Sequence, residues 1–125
     1  MLGVLVPAVL KDFEESIQKA LDYGGNSYTI ADIEELITTG KAQFWPGETS
    51  CIVTEIIEYP RTKDLHFFLA GGNLEELEAM IPPILDWGRA NGCTRATLTG
   101  RRGWERSFLR DTGWKAKLTV MEREI

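Results

Sequence analysis

The densest set of side chains able to hold an anion lies near the C-terminal end: Arg101, Arg102, Arg106 and Arg110. Arg102, Arg106 and Arg110 recur every fourth residue, a spacing that lines them along one helix face. Trp104 and Trp114 stand close by. The arginines either pair with Glu105, Asp111 and the acidic helix upstream, or hold an anionic ligand or an acidic partner surface, roles that suit Arg and Trp. A second candidate is Ala70-Gly71-Gly72-Asn73, where two glycines let a strand turn sharply into a helix. Helix N-termini attract anions through free N–H groups and the macrodipole. Here Glu75, Glu76 and Glu78 fill the first turns and satisfy that dipole themselves. Near a surface, each like-charge contact with an incoming anion costs on the order of 1 kcal/mol or more. His66 is the sole histidine, either a satisfied strand residue or a general base. One His and two scattered Cys make no metal ligand set, so no metal site is expected.

Periodicity supplies the elements that must position these groups. Residues 3–6 read as a first strand, and Pro7 opens a helical stretch carrying Val9, Phe13, Ile17 and Leu21 at helical spacing. Gly24-Gly25-Asn26 ends it. Thr29 and Asp32 form a capping arrangement for a second helix with Ile30, Ile33, Leu36 and Ile37 inward, closed by Gly40. Residues 42–45, 50–59 and 65–69 read as three strands joined by the turns at Pro46-Gly47-Glu48 and residues 60–64, an antiparallel meander. Leu74, Leu77, Ile81, Ile84, Leu85 and Gly88 mark a long helix. Pro82-Pro83 are expected to kink or restart it, because proline removes a backbone donor and crowds the preceding turn. Asn91-Gly92 cap it. Residues 94–98 read as a strand, 103–111 as a short helix, and 114–121 as a last strand with Trp114, Ala116, Leu118 and Val120 on one face.

A chain of 125 residues is expected to form one domain, residues 1–125, with a core that needs no staples. Cys51 and Cys93 sit in or beside apolar runs and read as reduced core residues of a reducing compartment. With no secretory signal and no apolar run near the roughly 20 residues needed to cross a bilayer, a soluble, cytoplasmic protein is expected, off the membrane. The net charge of −5 argues against nucleic-acid binding. It is unevenly spread. Residues 1–92 hold 6 basic and 15 acidic groups, whereas residues 93–125 hold 8 basic and 4 acidic ones. The last third is thus a basic module on an acidic body, through complementary packing or as a site for an anion or acidic partner.

The order of elements resembles the GNAT acetyltransferase superfamily: two helices, a meander, a Gly-bearing turn into a helix, a strand, a short helix and a terminal strand. The segments Cys93-Thr94-Arg95-Ala96-Thr97-Leu98-Thr99-Gly100-Arg101-Arg102-Gly103-Trp104 and Phe108-Leu109-Arg110-Asp111-Thr112-Gly113-Trp114 are similar to its penultimate strand, short helix and step into the last strand. Residues 28–33, 54–60 and 69–72 are similar to small GNAT-like proteins of phages and prophages. The resemblance implies an α+β fold with a central, mostly antiparallel sheet and helices on both faces. It also implies a homo-oligomer paired through a sheet edge.

In active members, a loop of pattern Gln/Arg-x-x-Gly-x-Gly/Ala holds the acetyl-CoA pyrophosphate. This chain has the two glycines without the leading Gln or Arg, and only part of the spacing. If acetyl-CoA binds, the resemblance assigns it to Leu69, Gly71, Gly72 and Asn73, with Arg102 and Arg106 on its phosphates. Candidate catalytic groups are Glu55 and Glu58 as bases. Ser107 lies on the short helix where the family's proton-donating Tyr sits, and that helix has no Tyr. Two expectations follow. One is a non-catalytic binding or virion-associated component, engaging a protein partner through Arg101, Arg102, Trp104, Arg106 and Arg110, in the host cytoplasm or on the particle. The alternative is a divergent acetyl-CoA-dependent N-acetyltransferase.

Overall fold

The computed structural model describes residues 10–100, 104 and 109–125. The first strand expected at residues 3–6 lies outside them, as does most of the short helix expected at 103–111. Helix α1 spans Glu14–Tyr23 and α2 spans Ile30–Thr38. Both follow from apolar spacing: Ile17 and Leu21 are buried on α1, Ile33 and Ile37 on α2. The expected cap at Thr29 forms in full. Thr29 Oγ1 accepts from the Asp32 N–H, and the Asp32 carboxylate accepts from the Thr29 N–H.

Strands β1 (Gln43–Pro46), β2 (Cys51–Glu58), β3 (Lys63–Gly71) and β4 (Arg95–Leu98) lie side by side in chain order. β1, β2 and β3 form the expected antiparallel meander. β4 joins β3 in parallel, with Leu65 opposite Ala96 and His66 opposite Thr97. A parallel neighbour requires a crossover, and helix α3, Leu74–Ala90, supplies it. A bidentate pair clamps the start of this parallel contact. Arg95 Nε and an Arg95 terminal nitrogen donate to the two oxygens of buried Asp64 at 2.9 and 3.0 Å.

Two apolar layers cover the sheet. Leu10, Phe13, Ile17, Leu21, Ile33 and Ile37 pack on Phe44, Cys51, Val53 and Leu69 on one face. Leu77, Ile81 and Ile84 of α3 pack on Ile52, Leu65 and Phe67 on the other, with Trp45, Trp87, Trp104 and Trp114 around that second layer. This is an α+β architecture with a mixed, mostly antiparallel sheet and helices on both faces.

Two elements depart from expectation. Helix α3 runs unbroken through Pro82 and Pro83. Both prolines are exposed, whereas Ile81, Ile84 and Gly88 are buried. Each carbonyl that loses its N–H partner therefore sits on the wet side, where water can satisfy it, and the apolar side stays anchored. The terminal strand at residues 114–121 does not form. Residues 115–125 are exposed and carry no ladder, although Trp114 itself packs edge-on against Phe67 at 5.5 Å. Their alternation is strand-like, but a strand exists only where an edge receives it.

Candidate functional site

The site begins as an irregularity in β3. Val53 pairs with Leu69 but Thr54 pairs with Phe67, so Phe68 is an extra residue and β3 bulges there. A bulge bends its strand and leaves one residue outside the ladder. Pairing with β4 ends one residue earlier, at Phe67 and Leu98, while β3 runs on to Gly71. The two parallel strands thus part company at the bulge. A cavity of about 320 Å³ opens there, lined by Leu21, Tyr28, His66, Phe68, Thr99 and Trp104 among others. A smaller one, of about 50 Å³, shares Phe68, Leu69, Ala70, Thr99 and Trp104 and reaches Leu77, Ile81 and Leu109 under α3. The two cavities flank the gap between β3 and β4, here called the slot.

His66 is the polar anchor of that slot. Register sets it between Glu55 on β2 and Thr97 on β4. Its Nδ1 lies 2.9 Å from Thr97 Oγ1. Burial lowers its pKa below the ordinary 6.5, and the nearby charges of Glu55 and Asp64 act the other way. The imidazole is therefore neutral at pH 7 and able to accept a proton. Tyr28 packs edge-on against Phe68 at 4.9 Å and forms an aromatic wall.

The Gly-Gly corner is built differently. Gly72 has φ +121°, and a Cβ there would stand 2.5 Å from Ser50 Oγ and 2.6 Å from Ser50 Cα. A Cβ on Gly71 would stand 2.9 Å from Ser16 Cβ. Both glycines thus make room for the protein's own chain. The Asn73 N–H donates to Ser50 Oγ at 2.8 Å, and the Glu76 N–H donates to Asn73 Oδ1 at 3.0 Å, capping α3. The Glu76 carboxylate reaches across to the β1–β2 turn. It accepts the Glu48 N–H at 2.7 Å, the Thr49 N–H at 3.0 Å and the Thr49 hydroxyl at 3.2 Å. The Ser50 hydroxyl first, then these donors, hold its pKa down to about 2.

The remaining expected site residues scatter. Leu69 lines both cavities, whereas Gly71, Gly72 and Asn73 line neither. Glu58 sits at the far end of β2, 3.6 Å from Lys63. Arg101, Arg102, Arg106 and Ser107 lie outside the described residues. Arg110 is exposed beside Asp111 at 3.6 Å. Trp104 borders the slot and, with Trp114, packs on the α3 layer. Cys51 is buried, Cys93 is half-buried, and both are free thiols. Among the described residues no cluster could hold a metal ion, and no helix is long and apolar enough to cross a membrane. Sequence reasoning missed Thr97, Thr99, Tyr28 and Phe68. The one signal for the bulge was Phe67-Phe68-Leu69, three apolar residues in succession where a strand should alternate.

The fold as a whole is shared with solved structures. A probable acetyltransferase superposes with a TM-score of 0.70 at 8% identity, over 93% of this chain and 90% of that one. The fold is GNAT-like. A tetramutant of the BH1408 protein from Bacillus halodurans matches with a TM-score of 0.67 at 11% identity, over 93% and 94%. A ribosomal-protein-alanine N-acetyltransferase from Brucella melitensis biovar Abortus 2308 gives 0.64 at 10% identity, over 92% of each chain. No protein-family model and no curated protein sequence matches the chain. At such identities the likeness carries the GNAT-like fold and leaves activity to the site itself.

Proposed function

We propose that this GNAT-fold chain is a binding protein that lacks the conventional acetyl-CoA pyrophosphate cradle. The phage-type segments suggest a virion-associated setting. The observation that carries the reading is the Gly-Gly corner. Its glycines are filled by Ser16 and Ser50, two of its N–H groups are bonded internally, and three glutamates flank it. The residues present do not fit a pyrophosphate there. Isothermal titration with acetyl-CoA at low salt tests this. No binding in the micromolar range is the expected result, and micromolar binding overturns the reading.

A second reading, a divergent acetyl-CoA-dependent N-acetyltransferase, draws on one observation: a neutral imidazole, His66, lines a slot between splayed parallel strands. In this reading Arg102 and Arg106 hold the cofactor phosphates and His66 takes the proton from an amine. Sustained acetyl-CoA turnover with a panel of amines, lost in His66→Ala, would establish it against the first. Unchanged acetyl-CoA affinity in Arg102→Ala and Arg106→Ala would sink the arginine assignment.

A further inference from the structure

We infer that the larger cavity of the slot is a seat for a quaternary ammonium head, the trimethylammonium of a choline-like ligand, held on aromatic ring faces rather than by a carboxylate. The inference rests on the reading of this chain as a binding protein. A trimethylammonium has no N–H for a base to remove and cannot take an acyl group at nitrogen, so such a ligand is held and left unchanged.

The rings come first. Four aromatic side chains line the cavity: Tyr23 at the end of α1, Tyr28 just before α2, Phe68 on the β3 bulge and Trp104 beyond β4. Phe68 is the residue that the bulge leaves out of the ladder, and Tyr28 meets it edge-on at 4.9 Å. Trp104 is seated on a bare stretch of backbone. A Cβ on Gly100 would stand 2.5 Å from Trp104 Cε3 and 3.0 Å from its Cζ3, so the indole occupies the space that a side chain there would fill. Tyr23 and Tyr28 are 68% and 41% exposed and rim the mouth, while buried Leu21 and Leu69 complete the apolar lining. At about 320 Å³ the cavity has the size of a small-molecule pocket, which begins at roughly 300 Å³.

Charge then selects the ligand. The other polar side chains of the lining are Ser27, His66 and Thr99, and burial keeps His66 neutral at pH 7. Among the described residues that line the cavity, none brings a carboxylate, an ammonium or a guanidinium. A primary ammonium carries N–H donors that need acceptors, best met by a carboxylate. A quaternary ammonium has no donor to satisfy, and its diffuse charge is drawn to ring faces. The surrounding field has the matching sign. Glu55 acts on His66 from β2, Asp64 acts on it from β3 although Arg95 pairs with Asp64, and residues 1–92 hold 6 basic against 15 acidic groups. Such a field draws cations in and turns anions away.

Isothermal titration with choline tests the seat, beside its neutral carbon analogue with a tert-butyl group in place of the trimethylammonium. The two share a shape and differ in charge. Choline should bind at least about tenfold more tightly. Equal affinities, or no choline binding, overturn the inference. Tyr28→Phe should keep the affinity and Tyr28→Leu should lower it about fivefold or more, because Leu keeps apolar bulk without a ring face. Equal affinity in these two variants, both folded by circular dichroism, overturns the aromatic seat. Gly100→Ala, which displaces the indole, should also weaken binding, and an unchanged affinity there counts equally against the seat. Phosphocholine and Nε-trimethyl-lysine amide separate the sources of the head. Tighter binding of either than of choline supports the same seat and names a phospholipid head or a modified lysine as its source. Absence of choline binding in a chain that also ignores acetyl-CoA overturns this inference alone. Micromolar acetyl-CoA binding overturns the binding-protein reading and this inference with it.

Discussion

His66 shows how one residue's chemistry is set by neighbours far away in sequence. Its hydrogen-bond partner Thr97 lies 31 residues on and reaches it only through the parallel register of β3 and β4. Burial disfavours the imidazolium and Glu55 opposes that effect. As the only histidine, His66 gives a single ring titration by NMR. Its midpoint should fall below 6.5, and Glu55→Gln should lower it further by removing the opposing charge. A midpoint at or above 6.5 would contradict the burial seen here. The sign for stability follows. A lowered folded pKa means that the unfolded chain binds the proton first, so this contribution is whole above pH 6.5 and declines as the pH falls through that value. Gly72 makes a steric case at the same scale. Gly72→Ala places a Cβ against the Ser50 backbone at a positive φ. It should cost about 2–4 kcal/mol in urea unfolding, combining backbone strain with overpacking.

Among the elements, α3 owes its position to both ends. Its N-terminus is latched to the β1–β2 turn through Glu76, and Gly88, near its C-terminus, seats on Leu65. The latch is an acid-sensitive joint. Glu76 titrates at about 2 when folded, against an ordinary 4.5, so its stabilisation is complete above pH 4.5 and is lost as the pH falls toward 2. Wild type and Glu76→Gln should differ in melting temperature at pH 6 and draw together as the pH falls to about 2. A difference as large at pH 2 as at pH 6 would show that the carboxylate's charge is not what counts. The path of α3 through Pro82-Pro83 could not be read from the sequence, because the local rule against proline depends on which side of the helix faces water. That orientation is fixed only by packing on the sheet. The helices α1 and α2 and the Thr29 cap were legible because their signals are local: spacing, one hydroxyl and one carboxylate. The strands of the meander were legible for the same reason. Residues 114–121 carry an equally clear pattern, yet a pattern names a strand without naming the edge that accepts it.

For the molecule as a whole, the sheet separates two layers of different make-up, and the slot sits where the two nearly meet. The GNAT-like fold was legible from element order. The site was not, since it depends on a bulge, on where pairing stops, and on residues brought together by a crossover. The partition of tryptophan has its own consequence. All four, Trp45, Trp87, Trp104 and Trp114, pack on the α3 layer, and none is among the residues of the α1–α2 layer. Intrinsic fluorescence therefore watches one side of the sheet, while the far-ultraviolet signal of α1 and α2 comes from the other. A thermal melt followed by both would coincide if the layers come apart together. An earlier loss of ellipticity would expose a species in which α1 and α2 have melted away while the indole side stays dry.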